Sequence, residues 1–262
     1  MELQGRAVDL QKQGISIVAV SYDPVETLQK FAAAKGVTFP LLSDAGSSVI
    51  KQYGLFNDTH EQGTKYYGVP WPGTFMLDAQ RRVTARFFEE RYQERNTAAS
   101  ILVRQGAAGS GPATTMANPH VSMKASVSDG TVAPGSRVTL AFDITPGRRI
   151  HVYAPGADYQ VVSIKVDPQP VLAAHETVYP PSEIYFFEPL DEKVPVYQKP
   201  FRLTQDVTIA ATPEAQKALR GMETLAVTGK LEYQACDDKV CFKPTAIPFK
   251  FELKVNALDR PM

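Results

Sequence analysis

The sequence predicts an α/β segment followed by an all-β sandwich, and three observations carry that order. Between residues 2 and 103 helical periodicity alternates with short β-branched runs. From about residue 119 the apolar residues alternate with period two, separated by Pro-Gly turns such as Ala133-Pro134-Gly135 and Thr145-Pro146-Gly147. Between the two stands QGAAGSGPATTMANP, residues 105–119, where Gly, Ala, Ser, Thr and Pro displace every charged and aromatic residue. That is the composition of a flexible linker. At roughly 100–200 residues per domain, 262 residues suit two domains. The predicted organisation is 1–103, a linker at 104–118, and a sandwich over 119–256.

In the first segment, Leu3, Val8 and Leu10 give a weakly amphipathic helix that Gly14 ends. Residues 15–21 form a β-branched run of the kind buried on both faces of a parallel sheet. Asp23 can cap the next helix, Pro24 suits its first turn, and Glu26 stands three residues after the cap, completing a capping box. Val25, Leu28 and Ala32 form its inner face and Gly36 stops it. Then come a short strand at 39–42, a helix at 47–53, a strand at 74–77, its hairpin partner at 83–88 across Asp78-Ala79-Gln80-Arg81, and a closing helix at 97–103. In the second segment Val138, Leu140, Phe142 and Ile144 alternate. So do Val161, Ile164 and Val166 less cleanly, then Val207 with Ile209, and the stretches 225–233 and 247–255. One helical stretch, 213–219, interrupts them.

Composition removes several function classes. Lys plus Arg number 28 and Asp plus Glu number 28, so there is no electrostatic footprint for a polyanion, and no nucleic-acid partner is expected. The greasiest run, residues 15–20, falls far short of the ~18 apolar residues a membrane-crossing helix needs, so no transmembrane segment is expected in this chain. The opening MELQGRAVDLQKQG carries no secretion signal. Two cysteines, Cys236 and Cys241, are too few for a structural zinc site unless histidines join them, and His60, His120, His151 and His175 show no paired ligand spacing. Neither a metal nor a cofactor is implied.

The first segment resembles the peroxiredoxin group of thioredoxin-fold proteins, the alkyl hydroperoxide reductase and thiol-specific antioxidant family. The matching pieces are Glu2-Leu3-Gln4, GISIVAVSYD at 14–23, FPLLSD at 39–44, IKQYGL at 50–55 and GVPWPGTFMLD at 68–78. The resemblance implies a thioredoxin-like fold, with Pro72 at the place of the proline, commonly cis, that precedes a central strand. It also implies a nucleophilic cysteine at the start of the helix that ends in the ELQ-like stretch. No cysteine occurs in residues 1–235, so the fold is expected to be incomplete, its missing strands and cysteine motif belonging to sequence upstream of Met1, and no peroxidase activity is expected from this chain.

The second segment resembles the N-terminal domain of the thiol:disulfide interchange protein DsbD. LEYQACDDKVCFKPTAIPF at 231–249 carries most of the likeness, with HVYAPG at 151–156 and DEKVPVYQKPF at 191–201 in support. That resemblance implies an immunoglobulin-like sandwich, a periplasmic location, a thiol–disulfide redox partner protein, and a short loop, here near 187–191, capping a cysteine pair. The alternation on either side places Cys236 and Cys241 at the closed end of a hairpin, where a disulfide can form. The expected function is therefore thiol–disulfide oxidoreduction, electrons passing through Cys236 and Cys241 as a redox-active disulfide. The alternative is a binding module whose disulfide merely fixes a hairpin and whose thioredoxin fold is degenerate. Trp71 reads as packing, Arg81-Arg82 as a hairpin turn and residues 87–91 as a strand end; His151 could hydrogen-bond near the cysteines, but a satisfied sandwich histidine is the commoner outcome, and no role is assigned to it.

Overall fold

The computed structural model describes residues 2–88, 94–187 and 191–256. The chain divides into two units, residues 1–92 and 93–262.

In the first unit the order is α1 (Glu2–Lys12), β1 (Ala19–Ser21), α2 (Val25–Lys35), β2 (Leu41–Ser43), α3 (Ser48–Gln52), β3 (Gly73–Leu77) and β4 (Val83–Phe88). This is the predicted α/β alternation. β1 pairs in parallel with β2, and β3 with β4 in an antiparallel hairpin whose turn is held by Asp78 accepting from the Gln80 and Arg82 amides. α2 ends as expected, on Gly36 in the left-handed region, φ 62°. Its start differs. Pro24 occupies the cap with no side-chain hydrogen bond, while the Asp23 carboxylate accepts from the Ser21 hydroxyl at 2.5 Å, so no capping box forms. The run at 15–21 also differs: only three of its residues are strand, and Val18 and Val20 are 54% and 47% exposed. With β2 as its only ladder partner among the described residues, β1 has nothing to bury its second face. Pro72 immediately precedes β3, and no peptide bond among the described residues is cis. The strand-end stretch stops at Phe88, residues 89–91 lying outside the described residues.

The second unit runs β5 (Arg95–Asn96), α4 (Ala98–Arg104), β6 (Ala113–Ala117), β7 (Val121–Val127), β8 (Thr131–Val132), β9 (Ser136–Pro146), β10 (His151–Tyr153), β11 (Ser163–Val166), β12 (Leu172–Val178), β13 (Glu183–Phe187), β14 (Glu192–Tyr197), β15 (Phe201–Ile209), α5 (Pro213–Leu219), β16 (Thr224–Tyr233), β17 (Ala235–Cys236) and β18 (Thr245–Val255). One sheet has the order β12-β15-β9-β7-β6, with β5 beside β9; the facing sheet is β11-β16-β18-β8; a third, smaller sheet is β13-β14-β10-β17. The period-two residues of β7, β9, β16 and β18 meet in the main core, with Met123, Leu140, Phe142, Leu231, Tyr233, Phe251 and Leu253 almost fully buried.

Two expectations about the boundary are corrected. The closing helix belongs to the sandwich unit. α4, capped by Thr97 accepting from the Ser100 amide, buries five consecutive residues, Ala99 to Val103. Arg104 reaches Asp206 at 2.7 Å, and the Thr97 hydroxyl donates to Asp129 at 2.6 Å. Nor is 105–119 a free linker, since β6 pairs with β7 from Ala113↔Ser126 to Ala117↔Ser122. Its glycines serve close approach rather than looseness: a Cβ on Gly109 would stand 2.2 Å from the Val127 carbonyl oxygen, and one on Gly111 2.4 Å from that of Asp129. Among the described residues no helix is long and apolar enough to cross a membrane.

Candidate redox site

The long β16–β18 ladder, from Thr224↔Lys254 to Tyr233↔Thr245, delivers the chain to a closed end that holds both cysteines. β17 extends that end onto the small sheet by pairing with β10, His151 opposite Cys236 and Val152 opposite Ala235. A tight turn then brings Cys241 back to face Cys236. The Asp237 amide donates to the Val240 carbonyl, the Asp237 carboxylate accepts from the Lys239 and Val240 amides at 2.7 and 2.8 Å, and the Phe242 amide returns to the Ala235 carbonyl. The two cysteines are joined as a disulfide with Cα atoms 4.1 Å apart.

The sulfurs are not equivalent. Cys236 is fully buried, whereas Cys241 is exposed. Strand register explains what covers Cys236. Residues opposite one another in antiparallel strands share a face, so His151, Tyr153, Val194, Val196, Tyr185 and Phe187 lie on the same side of the small sheet as Cys236. The opposite side carries Val152, Tyr197 and Ala235 into the main core. The disulfide thus sits in a second apolar cluster with Tyr153, Val194 and Val196.

The Tyr153 hydroxyl lies 3.1 Å from Cys236 Sγ and 3.2 Å from Cys241 Sγ. Burial first, then the neighbouring Tyr159 and Glu192, push its pKa up to about 12, so it remains a donor at any ordinary pH. Tyr159 stacks on it at 4.4 Å and donates to Glu192 at 2.6 Å. At the turn, the amides of Val240 and Lys239 hold the Asp237 carboxyl below its usual range, which keeps a negative charge beside any thiolate formed here. His151 is also enclosed, and burial lowers its pKa against the opposing pull of Asp238 and Asp237. The reading of His151 as a satisfied histidine is therefore corrected, since its Nε2 has no hydrogen-bond partner among the described residues. Of the stretch expected to cap the pair, Phe187 is buried with its ring 6.3 Å from that of His151, and residues 188–190 lie outside the described residues. No cluster of three or more metal-ligating side chains occurs among the described residues.

A family model described as thiol:disulfide interchange protein DsbD, N-terminal, matches residues 122–252, half of the chain. The chain belongs to that family. Residues 1–86 match the AhpC/TSA family, which gives the first unit its peroxiredoxin-like character. Peroxiredoxin Bcp of Escherichia coli (strain K12) is 31% identical over 75 residues, 29% of this chain and 47% of that protein. The thiol-disulfide oxidoreductase ResA of Geobacillus thermodenitrificans is 34% identical over 74 residues, 28% of this chain and 35% of that protein. The chain therefore spans about half or less of the curated relatives it matches. The DsbD N-terminal domain of Neisseria meningitidis, solved in the reduced form, is similar at 17% identity with a TM-score of 0.30, over 45% of this chain and 77% of that one. Together the two families support a general thiol–disulfide role for the chain.

Sequence reasoning reached Cys236 and Cys241 but not Tyr153, Tyr159 or Tyr185. The signal available for Tyr153 was the alternation of His151 and Tyr153 in HVYAPG, which puts both on one face of a strand. Pro72 belongs to the other unit.

Proposed function

We propose that the chain is an extracytoplasmic thiol–disulfide oxidoreductase module that relays electrons between partner proteins through Cys236 and Cys241. The observation that carries this reading is the unequal burial of the two cysteines. A partner thiolate would attack at Cys241, the exposed residue of the two; the S–S bond then breaks with its electron pair on Cys236 Sγ, where the Tyr153 hydroxyl is placed to donate. In the other direction the Cys241 thiolate opens a partner disulfide and Cys236 resolves the mixed disulfide. The turn also argues for a labile bond. The Asp237 and Phe242 hydrogen bonds close it independently of the sulfurs, and cross-linking residues five apart in sequence restricts the unfolded chain by only about 2 kcal/mol. The extracytoplasmic assignment follows from redox conditions, because cytosolic reductants keep such pairs open. Residues 1–235 hold no sulfur nucleophile of the cysteine type, so the redox chemistry of this chain runs through Cys236 and Cys241, and no peroxide turnover is expected from it.

Two measurements test the reading. Equilibration with glutathione buffers should place the pair well above the roughly −300 mV below which structural disulfides lie. A Cys236→Ser chain should form a stable mixed disulfide with a thioredoxin-fold thiol protein, while Cys241→Ser should form none. A very low potential together with no mixed disulfide from Cys236→Ser would leave only a structural bond.

A further inference from the structure

On the reading that this pair exchanges disulfides, we infer that His151 is the base that takes the proton from Cys236 when that buried thiol resolves a mixed disulfide held on Cys241. The need for a base is set by burial. Cys236 is wholly enclosed, so buffer cannot reach its proton, and an apolar setting raises a thiol's pKa. A resolving thiol must nevertheless become a thiolate to attack.

Among the described residues, the groups around it leave one acceptor. Tyr153, two residues along β10 from His151, keeps its proton far above neutral pH and is a donor to sulfur. Tyr185, facing from β13, donates to Asp238 at 3.4 Å. In the turn, Lys239 is a cation, and Asp237 is a weak base whose carboxylate already accepts two amides. His151 is the register partner of Cys236, which puts their Cβ atoms about 4.5–5.5 Å apart on the same face. It is 1% exposed, its ring lies 4.6 Å from Tyr185 and 5.8 Å from Tyr153, and its Nε2 is without a partner among the described residues. An unpartnered polar atom at such depth is uncommon and calls for a reason. Burial keeps the imidazole neutral and ready to accept, while Asp238 and Asp237 favour the imidazolium once it forms.

The step balances as follows. The Cys241 thiolate attacks the partner disulfide, forming the mixed disulfide and expelling the partner's other sulfur as thiolate. Cys236 S–H then passes its proton to His151 Nε2 through one bridging water, since Nε2 has no direct partner among the described residues. The Cys236 sulfur attacks Cys241 Sγ, and the bond from Cys241 to the partner breaks with its electron pair on the partner sulfur. The pair is oxidised by two electrons, the partner disulfide is reduced by two, and the imidazolium returns its proton to solvent past Asp237 and Asp238.

The test mixes the reduced full chain with a chromogenic aryl disulfide in a stopped-flow instrument. The wild type should release two aryl thiolates, the first at a rate proportional to reagent and the second independent of it. In His151→Phe, which keeps an aromatic ring in the cluster, and in His151→Gln, the first release should be unchanged and the second slowed on the order of 10²-fold. The wild-type second rate should rise with pH and level off once the imidazole is neutral, whereas the variants should keep climbing until Cys236 itself ionises. A solvent deuterium isotope effect on the second release of the wild type should appear without any mutation. Second-release rates in both variants within about twofold of wild type, with the same pH profile, would overturn the assignment, as would the lack of an isotope effect. A wild type with no second release would instead contradict the exchange reading itself.

Discussion

Replacing Tyr153 by Phe removes one hydroxyl and keeps the ring that stacks on Tyr159 at 4.4 Å and fills the small cluster. The variant should therefore fold, and what changes is the donor lying 3.1 and 3.2 Å from the two sulfurs. A hydrogen bond to a charged group contributes about 1.5–3 kcal/mol, and the thiolate is the charged state here. At 1.36 kcal/mol per unit, losing it should raise the thiol pKa of the reduced pair by about 1–2 units. Because the reduced form loses the stabilisation, the potential should fall, by about 30–60 mV at pH values where the thiolate is populated, and by less where both thiols are protonated. Ultraviolet titration of the thiolate in the reduced full chain reads the first quantity, and equilibration against glutathione at two pH values reads the second. An unchanged thiol pKa in a folded Tyr153→Phe chain would show that the hydroxyl does not act on the sulfur, and the geometric argument for the site would lose its central contact.

Three further outcomes follow from the same geometry. Gly111→Ala should destabilise the sandwich unit by about 1–3 kcal/mol in urea unfolding, because its Cβ would meet the Asp129 carbonyl oxygen at 2.4 Å; a neutral result would restore the flexible-linker reading of 105–119. Arg104→Ala should cost about 2–4 kcal/mol, since it takes the cation at 2.7 Å from the largely buried Asp206 carboxylate and leaves it the Thr139 hydroxyl; a loss under about 0.5 kcal/mol would class the pair with surface ion pairs. Burial lowers the His151 pKa below 6.5, so in the window just under 6.5 the unfolded chain binds a proton that the folded chain does not. Stability should therefore rise with pH through that window and fall as pH drops, and His151→Phe should flatten the dependence; equal slopes in the two proteins would remove His151 as its source.

How far the sequence could be read depended on the range of the interactions involved. Local signals held: Gly36 stops α2, Asp78 turns the β3–β4 hairpin, and the period-two residues of β9, β16 and β18 are the core. The boundary was misread because a glycine required by contact and a glycine left over from flexibility look alike in one dimension. Gly109 and Gly111 are fixed by the carbonyls of Val127 and Asp129, which become neighbours only once β6 lies on β7. The same holds for α4, whose apolar run suits either unit by composition and is assigned by the Arg104–Asp206 and Thr97–Asp129 contacts. At the site, the cysteines are close in sequence and were found. Tyr153 stands 83 residues from Cys236, and only the β10–β17 register brings the strand that carries it there.

The placement of the pair bears on whether the fold could tolerate the repeated opening of the disulfide that the proposed function requires. Cys236 belongs to the small cluster on the outer face of the β13-β14-β10-β17 sheet, while Val152, Tyr197 and Ala235, on the other face of the same sheet, belong to the main core. The main core is therefore anchored by residues adjacent to the cysteine pair but directed away from it. Opening the S–S bond leaves the β16–β18 ladder, the Asp237 turn and the Phe242-to-Ala235 hydrogen bond in place. Only the side chains of the small cluster need respond, and two of the polar groups among them, the Tyr153 hydroxyl and His151 Nε2, are those with something to gain when a thiol or thiolate replaces the disulfide. A disulfide serving stability would be expected to bridge elements that no backbone ladder joins. This one closes a turn that is already closed, which favours the proposed exchange role over a stabilising one.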